Sequence, residues 1–358
     1  MFVNEVRNVN FALAGGLSTL LQHGVEQSSR NGPVIVAPAP VTTVTHRPDE
    51  RVLSLPGRNE NPFFHFVESL WMLAGRNDLA ALTPYVSRMA QFSDDGGKTQ
   101  PGAYGHRWRR HFDRDQLAWA IQRLRKDPND RRVVIGMWDP RADIDAADAG
   151  GRDVPCNTHV YLGVTRGQVN MTICCRSNDA IWGAHGANAV HFSVLLEYIA
   201  RSLGRDVGFM YQFSNNYHAY TEVMAGMSIP DRPEEVERHC MYKLGLAKPF
   251  PIMDEMPHAQ VKWDEDLAVF WKEPTWPRMH HRFFKEVARP IVMAHRHYRD
   301  TRGEDRYTGA LEIVQECQAS DWRIACSRWI EGRHRAWVKA QDDGVDYGRG
   351  EDSGNAHA

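Results

Sequence analysis

The sequence predicts an α/β protein of the α+β kind, in which a central mixed sheet is packed by helices and followed by a helical extension. Three observations carry that prediction. Two alternating runs, residues 158–164 (THVYLGV) and 168–174 (QVNMTIC), are joined by a short Thr-Arg-Gly turn and read as a hairpin at mid-chain. Helix-spaced apolar residues flank that hairpin at 62–73 and 188–201. Beyond about residue 221 the texture changes to prolines followed by helical patterns.

Taken in order, residues 62–73 (PFFHFVESLWML) place Phe63, Phe66, Val67, Leu70 and Trp71 at i, i+3, i+4, i+7 and i+8, one face of a helix that Pro62 starts. Glu68 is a carboxylate among apolar and aromatic neighbours. Asp115 caps a second helix through Leu117, Ile121 and Leu124, which stops at Pro128. Residues 133–138 (VVIGMW) read as a strand ahead of the hairpin. Residues 188–201 (NAVHFSVLLEYIAR) have the length and spacing of a buried helix ending near Gly204. A proline-punctuated stretch (LAKPFPIMDEMPHAQ) then leads into helical segments over roughly 265–300 and 308–340, with Leu311, Ile313, Val314, Ile324, Trp329 and Ile330 as apolar faces. The organisation expected is a catalytic domain over 1–225, a helical extension packed on it over 226–340, and a polar, glycine-rich, disordered tail over 341–358. No internal repeat is visible.

A chain of 358 residues with 42% hydrophobic content can bury a large core. With 43 basic and 45 acidic residues, a net charge of −2 provides no global field for nucleic acid or a membrane surface, so an anionic ligand must be met by local arginines. No apolar run approaches the ~20 residues of a membrane span, and the N-terminus reads as no leader, so a cytoplasmic protein is expected. The six cysteines, at 156, 174, 175, 240, 317 and 326, form no CxxC pair, which points to free thiols rather than a zinc site or a disulfide framework.

The stretch DVPCNTHVYL sets Cys156 behind a proline at the mouth of a strand. Taken alone, it is a buried thiol by base rate, with metal ligand and nucleophile as the other readings. Its company is informative: Arg30, Arg131, Arg132, Arg176 beside Ser177, and the Tyr104 loop PGAYGHRWRRHF hold more arginine and tyrosine than this framework needs. Singly, each arginine reads as a surface charge.

Together, in the order Glu68 in VESLWML, Tyr104 in PGAYGHRW, DPNDRRVVIGMWDP, DVPC, CRSNDAIWG, GANAVHFSVLLEY and NNYHAY, these segments resemble the thymidylate synthase superfamily, which includes the pyrimidine nucleotide hydroxymethylases of phages. The resemblance spans about residues 28–222 in the family's order and with similar spacing. It implies a thymidylate-synthase-like fold and one-carbon transfer from 5,10-methylenetetrahydrofolate to carbon 5 of a pyrimidine nucleoside monophosphate, with no metal. Cys156 matches the thiolate that bonds to carbon 6, and nearby positive charge would raise its reactive fraction. Arg176 matches the arginine near both thiolate and phosphate. With Arg30 and Ser177 it forms the phosphate grip, completed by Arg131 and Arg132 from the partner subunit of a homodimer. The plain reading of that last pair is a strand-start charge pair.

Glu68 matches the carboxylate that manages protons on the base through ordered water, a task its apolar neighbours suit; its plain reading is the polar edge of an amphipathic helix. Tyr104 and Asp179 join Cys156, Glu68 and Asn157 in the implied catalytic set. Asn188 matches the asparagine that recognises the base, its amide donating to the uracil 4-oxygen and accepting from the ring N–H, and it is also a plausible helix N-cap. His218 and Tyr220 match the pair on the sugar hydroxyl, which leaves deoxyribose and ribose both open. Asp179 matches the carboxylate facing the folate pterin, and Arg58 a basic residue at the folate tail.

Three features depart from the synthases. Asn157 stands where they carry histidine, the segment between Asp179 and Asn188 is one residue longer, and more than a hundred residues replace their short closing tail. Once the folate leaves, hydride gives a methyl group and water a hydroxymethyl group, so admission of water decides the product. The reading favoured is hydroxymethylation of deoxyuridylate for a modified-DNA pathway, in the host cytoplasm if phage-encoded, with neither nucleic acid nor membrane as partner. Methylation to thymidylate comes second, a dCMP or CMP hydroxymethylase third, and a nucleotide- or RNA-binding relic of the fold is the non-enzyme alternative.

Overall fold

A computed structural model describes residues 1–230, 232–272 and 279–343. The N-terminal part contains β1 (Phe2–Val6), α1 (Val9–His23), β2 (Val25–Ser29), β3 (Gly32–Val36), β4 (Val41–Thr45) and α2 (Pro62–Leu73). The middle contains α3 (Tyr104–Arg109), α4 (Gln116–Lys126), β5 (Val134–Gly136), α5 (Ala142–Asp148), β6 (Asn157–Thr165), β7 (Gln168–Asp179), α6 (Asn188–Ser202) and β8 (Asp206–Tyr220). Helices α7 (Thr221–Ala225), α8 (Pro233–His239), α9 (Ala259–Lys272), α10 (Arg289–Asp300), α11 (Asp305–Gln315) and α12 (Ser320–Asp342) follow.

The sheet runs β1-β4-β8-β7-β6-β5, with the β2–β3 hairpin attached through β3 to the end of β8. It is mixed, as expected: β7 and β8 are parallel, as are β1 and β4, and the remaining pairs are antiparallel. The mid-chain hairpin forms between β6 and β7, and its turn places Arg166 at φ 54° and Gly167 at φ 81°. Both central residues of a two-residue hairpin turn of this hand need positive φ, which glycine adopts at no steric cost.

Helices α2, α4 and α6 form where the sequence places them, and the Asp115 side chain accepts the Ala118 N–H at 2.9 Å as the cap of α4. The strand expected over 133–138 shortens to β5. The two helical runs of the extension each break in two, into α9 and α10 and into α11 and α12. The expected tail lies outside the described residues from 344 onward.

All twelve residues of α2 are buried, because α6 covers one side and the extension covers the other. Phe63 meets Trp329 of α12 edge-on at 5.4 Å, and Phe66 meets Trp322 at 5.1 Å. The apolar side chains of the extension, Trp263, Phe284, Tyr307 and Ile330 among them, therefore belong to the same core cluster as Phe63, Trp71 and the inner residues of β6 and β7. Glu68 is thus not on a solvated helix face; it lies inside this packing at 6% exposure.

Candidate active site

Strands and helices meet at one place. Strand β6 begins where β7 ends, because the two are antiparallel, and the parallel pairing of β7 with β8 sets Ser177 beside Asn216 and Asp179 beside His218. Helices α2, α3 and α6 close the space above with Glu68, Tyr104 and Asn188. Helix α3 comes close enough because Gly105 has no side chain; a Cβ there would lie 1.9 Å from the Met72 carbonyl oxygen. The result is a cavity of about 990 Å³.

Cys156 lines this cavity, half-buried, immediately before a register shift in β6. Arg176, directly across the ladder, donates its backbone N–H to the Cys156 carbonyl at 2.9 Å. Its guanidinium is held by the same loop, Nε donating to Pro155 O at 2.8 Å and Nη2 to Val154 O at 2.9 Å. Burial pushes the Cys156 thiol up, Arg176 and Arg30 pull it down, and Asp153 pushes it up. The positive charge expected beside the thiol is present, and desolvation outweighs it. Asp153 is itself raised to about 6 by burial, and accepts the Gly102 N–H at 2.7 Å.

Arg30 and Ser177 also face the cavity, Arg30 from the turn between β2 and β3 with Nη1 donating to Gly151 O at 3.2 Å. Arg131 and Arg132 do not reach it from their own chain. Both are exposed, and Arg132 is paired with Asp130, Nε to Oδ1 at 2.8 Å and Nη2 to Oδ2 at 3.0 Å.

On the helix side, His191 of α6 bonds Glu68, Nε2 to Oε2 at 2.8 Å, with both side chains buried and both on the cavity wall. His191 Nδ1 is sealed off without a partner. The tautomer that suits this donates Nε2–H to the carboxylate and leaves a bare lone pair at Nδ1, the less costly group to bury unpaired. Tyr104 lies nearby, its hydroxyl held well above the usual phenol range, first by burial and then by the neighbouring Cys156 and Cys175.

Asn188, expected to recognise the base, is the middle of a chain of amides. Asn178 Nδ2 donates to Ser214 Oγ at 2.9 Å, Asn188 Nδ2 to Asn178 Oδ1 at 3.2 Å, and Asn157 Nδ2 to Asn188 Oδ1 at 3.3 Å. Each bond orients the next amide, and Asn188 keeps one N–H and one lone pair free toward the cavity it lines. Asn188 is the first residue of α6 rather than its cap; Ala187 occupies the cap position without a side-chain bond. Asn157 is fully buried and does not line the cavity. It lies behind the wall because neighbouring residues of a strand face opposite ways, so the residue after Cys156 cannot share its face.

Asp179 caps the segment after β7, Oδ1 accepting the N–H of Ile181 at 2.7 Å and of Trp182 at 2.6 Å, while Oδ2 is buried without a partner. Burial raises its carboxyl and lowers the facing His218, whose Nδ1 bonds Asn216 Oδ1 at 2.8 Å. Tyr220 completes that edge of the cavity. The unpartnered Asp179 Oδ2 and Trp182 Nε1, both on wall residues, fit a flat heterocycle carrying N–H donors and ring acceptors, as a pterin does. Arg58, expected to face the folate tail, does not line the cavity. It is 3% exposed beneath Trp182, its guanidinium 4.2 Å from the ring and Nη2 donating to Ile181 O at 3.0 Å. Cation–π attraction and a carbonyl hold it behind the wall.

Sequence reasoning missed His65, His191, Asn178 and Arg333, all of which line the cavity, Arg333 from α12 of the extension. The available signal was helical spacing: His65 is one turn before Glu68 on α2, and His191 one turn after Asn188 on α6. Among the described residues no group of three His, Cys, Asp or Glu side chains is placed to hold a metal, all six cysteines are unpaired, and no helix is long and apolar enough to cross a membrane.

Residues 17–242 match the family model described as thymidylate synthase. The chain is similar to a deoxyuridylate hydroxymethyltransferase of Pseudomonas phage M6, 43% identical over an alignment of 366 residues that takes in 97% of this chain and 100% of that relative. A protein of the same description from Bacillus phage SP01 is 37% identical over 216 residues, 58% of this chain and 55% of its own. A thymidylate synthase of Symbiobacterium thermophilum is 31% identical over 181 residues, 45% of this chain and 61% of its own.

Proposed function

This chain belongs to the thymidylate synthase family, whose members use methylenetetrahydrofolate as co-substrate on pyrimidine nucleoside monophosphates, and from that premise we propose that it hydroxymethylates carbon 5 of deoxyuridylate. One observation carries the reading: Cys156, Arg176, Glu68, Tyr104 and Asn188 converge on a single cavity in a chain alignable end to end with a deoxyuridylate hydroxymethyltransferase.

The Cys156 thiolate adds to carbon 6, and the ring's electron pair moves toward the 4-oxygen. Asn188, its amide fixed by Asn157 and Asn178, donates its free N–H to that oxygen and accepts the ring N–H, the pattern of uracil rather than cytosine. Arg176, Arg30 and Ser177 take the phosphate, joined by Arg131 and Arg132 of the partner subunit in a homodimer; the exposure of both in a single chain supports that arrangement. His218 and Tyr220 hold the sugar hydroxyl.

Methylenetetrahydrofolate supplies a carbon at the oxidation level of formaldehyde. Asp179 and Trp182 hold its pterin, and Arg58 supports that wall from behind rather than touching the tail. Glu68, oriented by His191, takes the carbon-5 proton through water. Water then captures the exocyclic methylene and the re-formed double bond expels Cys156. Asn157 serves this step by positioning Asn188. Residues 226–340 act as an extension of a catalytic unit over 1–225, closing the cavity in place of a short tail.

The test is to incubate the protein with methylenetetrahydrofolate and either dUMP or dCMP, weigh the nucleotide and follow dihydrofolate absorbance. The expected result is dUMP heavier by one CH₂O unit with no dihydrofolate. A gain of one CH₂ unit with dihydrofolate, or turnover of dCMP in preference, contradicts the reading.

A further inference from the structure

Capture of the methylene needs a base for the attacking water, and Glu68 is already engaged with His191 and the carbon-5 proton. The wall offers one other group beside it. His65 lies one turn earlier on α2, its ring on the cavity at 7% exposure. Its Nδ1 faces Glu60 Oε2 at 3.6 Å, and among the described residues no side chain is seen to bond its Nε2. The charged and titratable groups around it are Glu60 and Arg58 from the loop before α2, Glu68 on α2 itself and His191 on α6. Above about pH 7, where Glu60 is ionised, its carboxylate opposite Nδ1 favours the tautomer with the N–H there and leaves the lone pair on Nε2. Burial first, then Arg58 and His191, hold the ring's pKa well below the usual histidine range, so it is neutral when water arrives.

We propose that His65 is the catalytic base of the capture step, an inference that rests on the hydroxymethylation reading. In that step a water oxygen bonds to the exocyclic methylene carbon while one water proton passes to His65 Nε2. The methylene double bond's electron pair moves into the ring as an enolate through the 4-oxygen. The enolate collapses, the carbon 5–carbon 6 double bond forms, and the bond from carbon 6 to Cys156 sulfur breaks with its pair on sulfur. The imidazolium faces Glu60 and then releases its proton to solvent. No oxidant or reductant is consumed.

The experiment uses His65→Gln and His65→Leu in the full chain, with dUMP labelled with tritium at carbon 5 and methylenetetrahydrofolate. Wild type should release tritium and form hydroxymethyl product in step. The variants should give a burst of tritium stoichiometric with active sites, followed by product formation slower by ~100-fold, the scale of a lost general base. Mass spectrometry of the quenched protein should show the nucleotide-plus-methylene adduct accumulating on it. If product forms at the wild-type rate, or burst and product fall together with no adduct, His65 is not the base. A wild-type product of thymidylate would instead sink the hydroxymethylation reading itself, and this inference with it.

Discussion

The two walls of the cavity are built on opposite principles. The strand wall, from Cys156 to Arg176 and Ser177, is partly open, its arginines exposed and held by backbone carbonyls. The helix wall, with Glu68, His65 and His191, is buried and its charged groups answer to one another. Exposed guanidinium groups can receive a doubly charged phosphate without first being desolvated, whereas buried carboxylates and imidazoles respond strongly to a single proton. In the proposed reaction one wall recognises and attacks, and the other moves protons.

Substitutions can break that contrast in order of severity. Cys156→Ala should abolish both product formation and folate-independent tritium exchange from carbon 5, while dUMP binding by calorimetry survives. Glu68→Gln should lower kcat by ~10²–10⁴-fold, the range of a lost acid–base group, with little change in KM for dUMP. Arg176→Ala should instead raise KM for dUMP by about 10–100-fold, equivalent to ~1.5–3 kcal/mol for a charge-assisted bond. It should also shift the rise of activity with pH to higher pH, since Arg176 draws the Cys156 thiol down. A kcat effect from Arg176 and a KM effect from Glu68 would reverse the assignment of the walls.

The smallest effect expected is on stability. Burial raises Glu60 from 4.5 to about 7, so its contribution to folding is complete below the lower value and is lost as pH rises through the higher one. Glu60→Gln carries no such loss. Its melting temperature relative to wild type should therefore increase between about pH 5 and about pH 8; a constant difference would mean that Glu60 is not held protonated by burial.

The same contrast explains what could be read from the chain. The sheet centre and α2, α4 and α6 were legible because their apolar spacing is regular. Strand β2 was not, being wholly exposed and polar after Val25, and β8 was not, because its end, Asn215-Asn216-Tyr217-His218, carries no alternation of hydrophobicity and is fixed by pairing with β3 and β7. On the strand wall, Cys156 and Arg176 stood out by their company. On the helix wall, His65 and His191 passed for core residues, since a histidine amid Phe, Val and Leu has no distinguishing neighbour until the fold turns it toward Glu68. Asn157 drew attention by adjacency to Cys156, and strand geometry turned it away.

The extension backs the helix wall. It buries the outer side of α2 through Trp322 and Trp329, and α12 brings Arg333 to the cavity.

The central claim is that water from solvent, admitted to this cavity, ends the reaction. Running the wild-type reaction in water enriched in heavy oxygen and weighing the nucleotide tests it directly. One solvent oxygen in the hydroxymethyl group of the product is the result expected. An unlabelled hydroxymethyl group, or a methyl product with dihydrofolate, would contradict it.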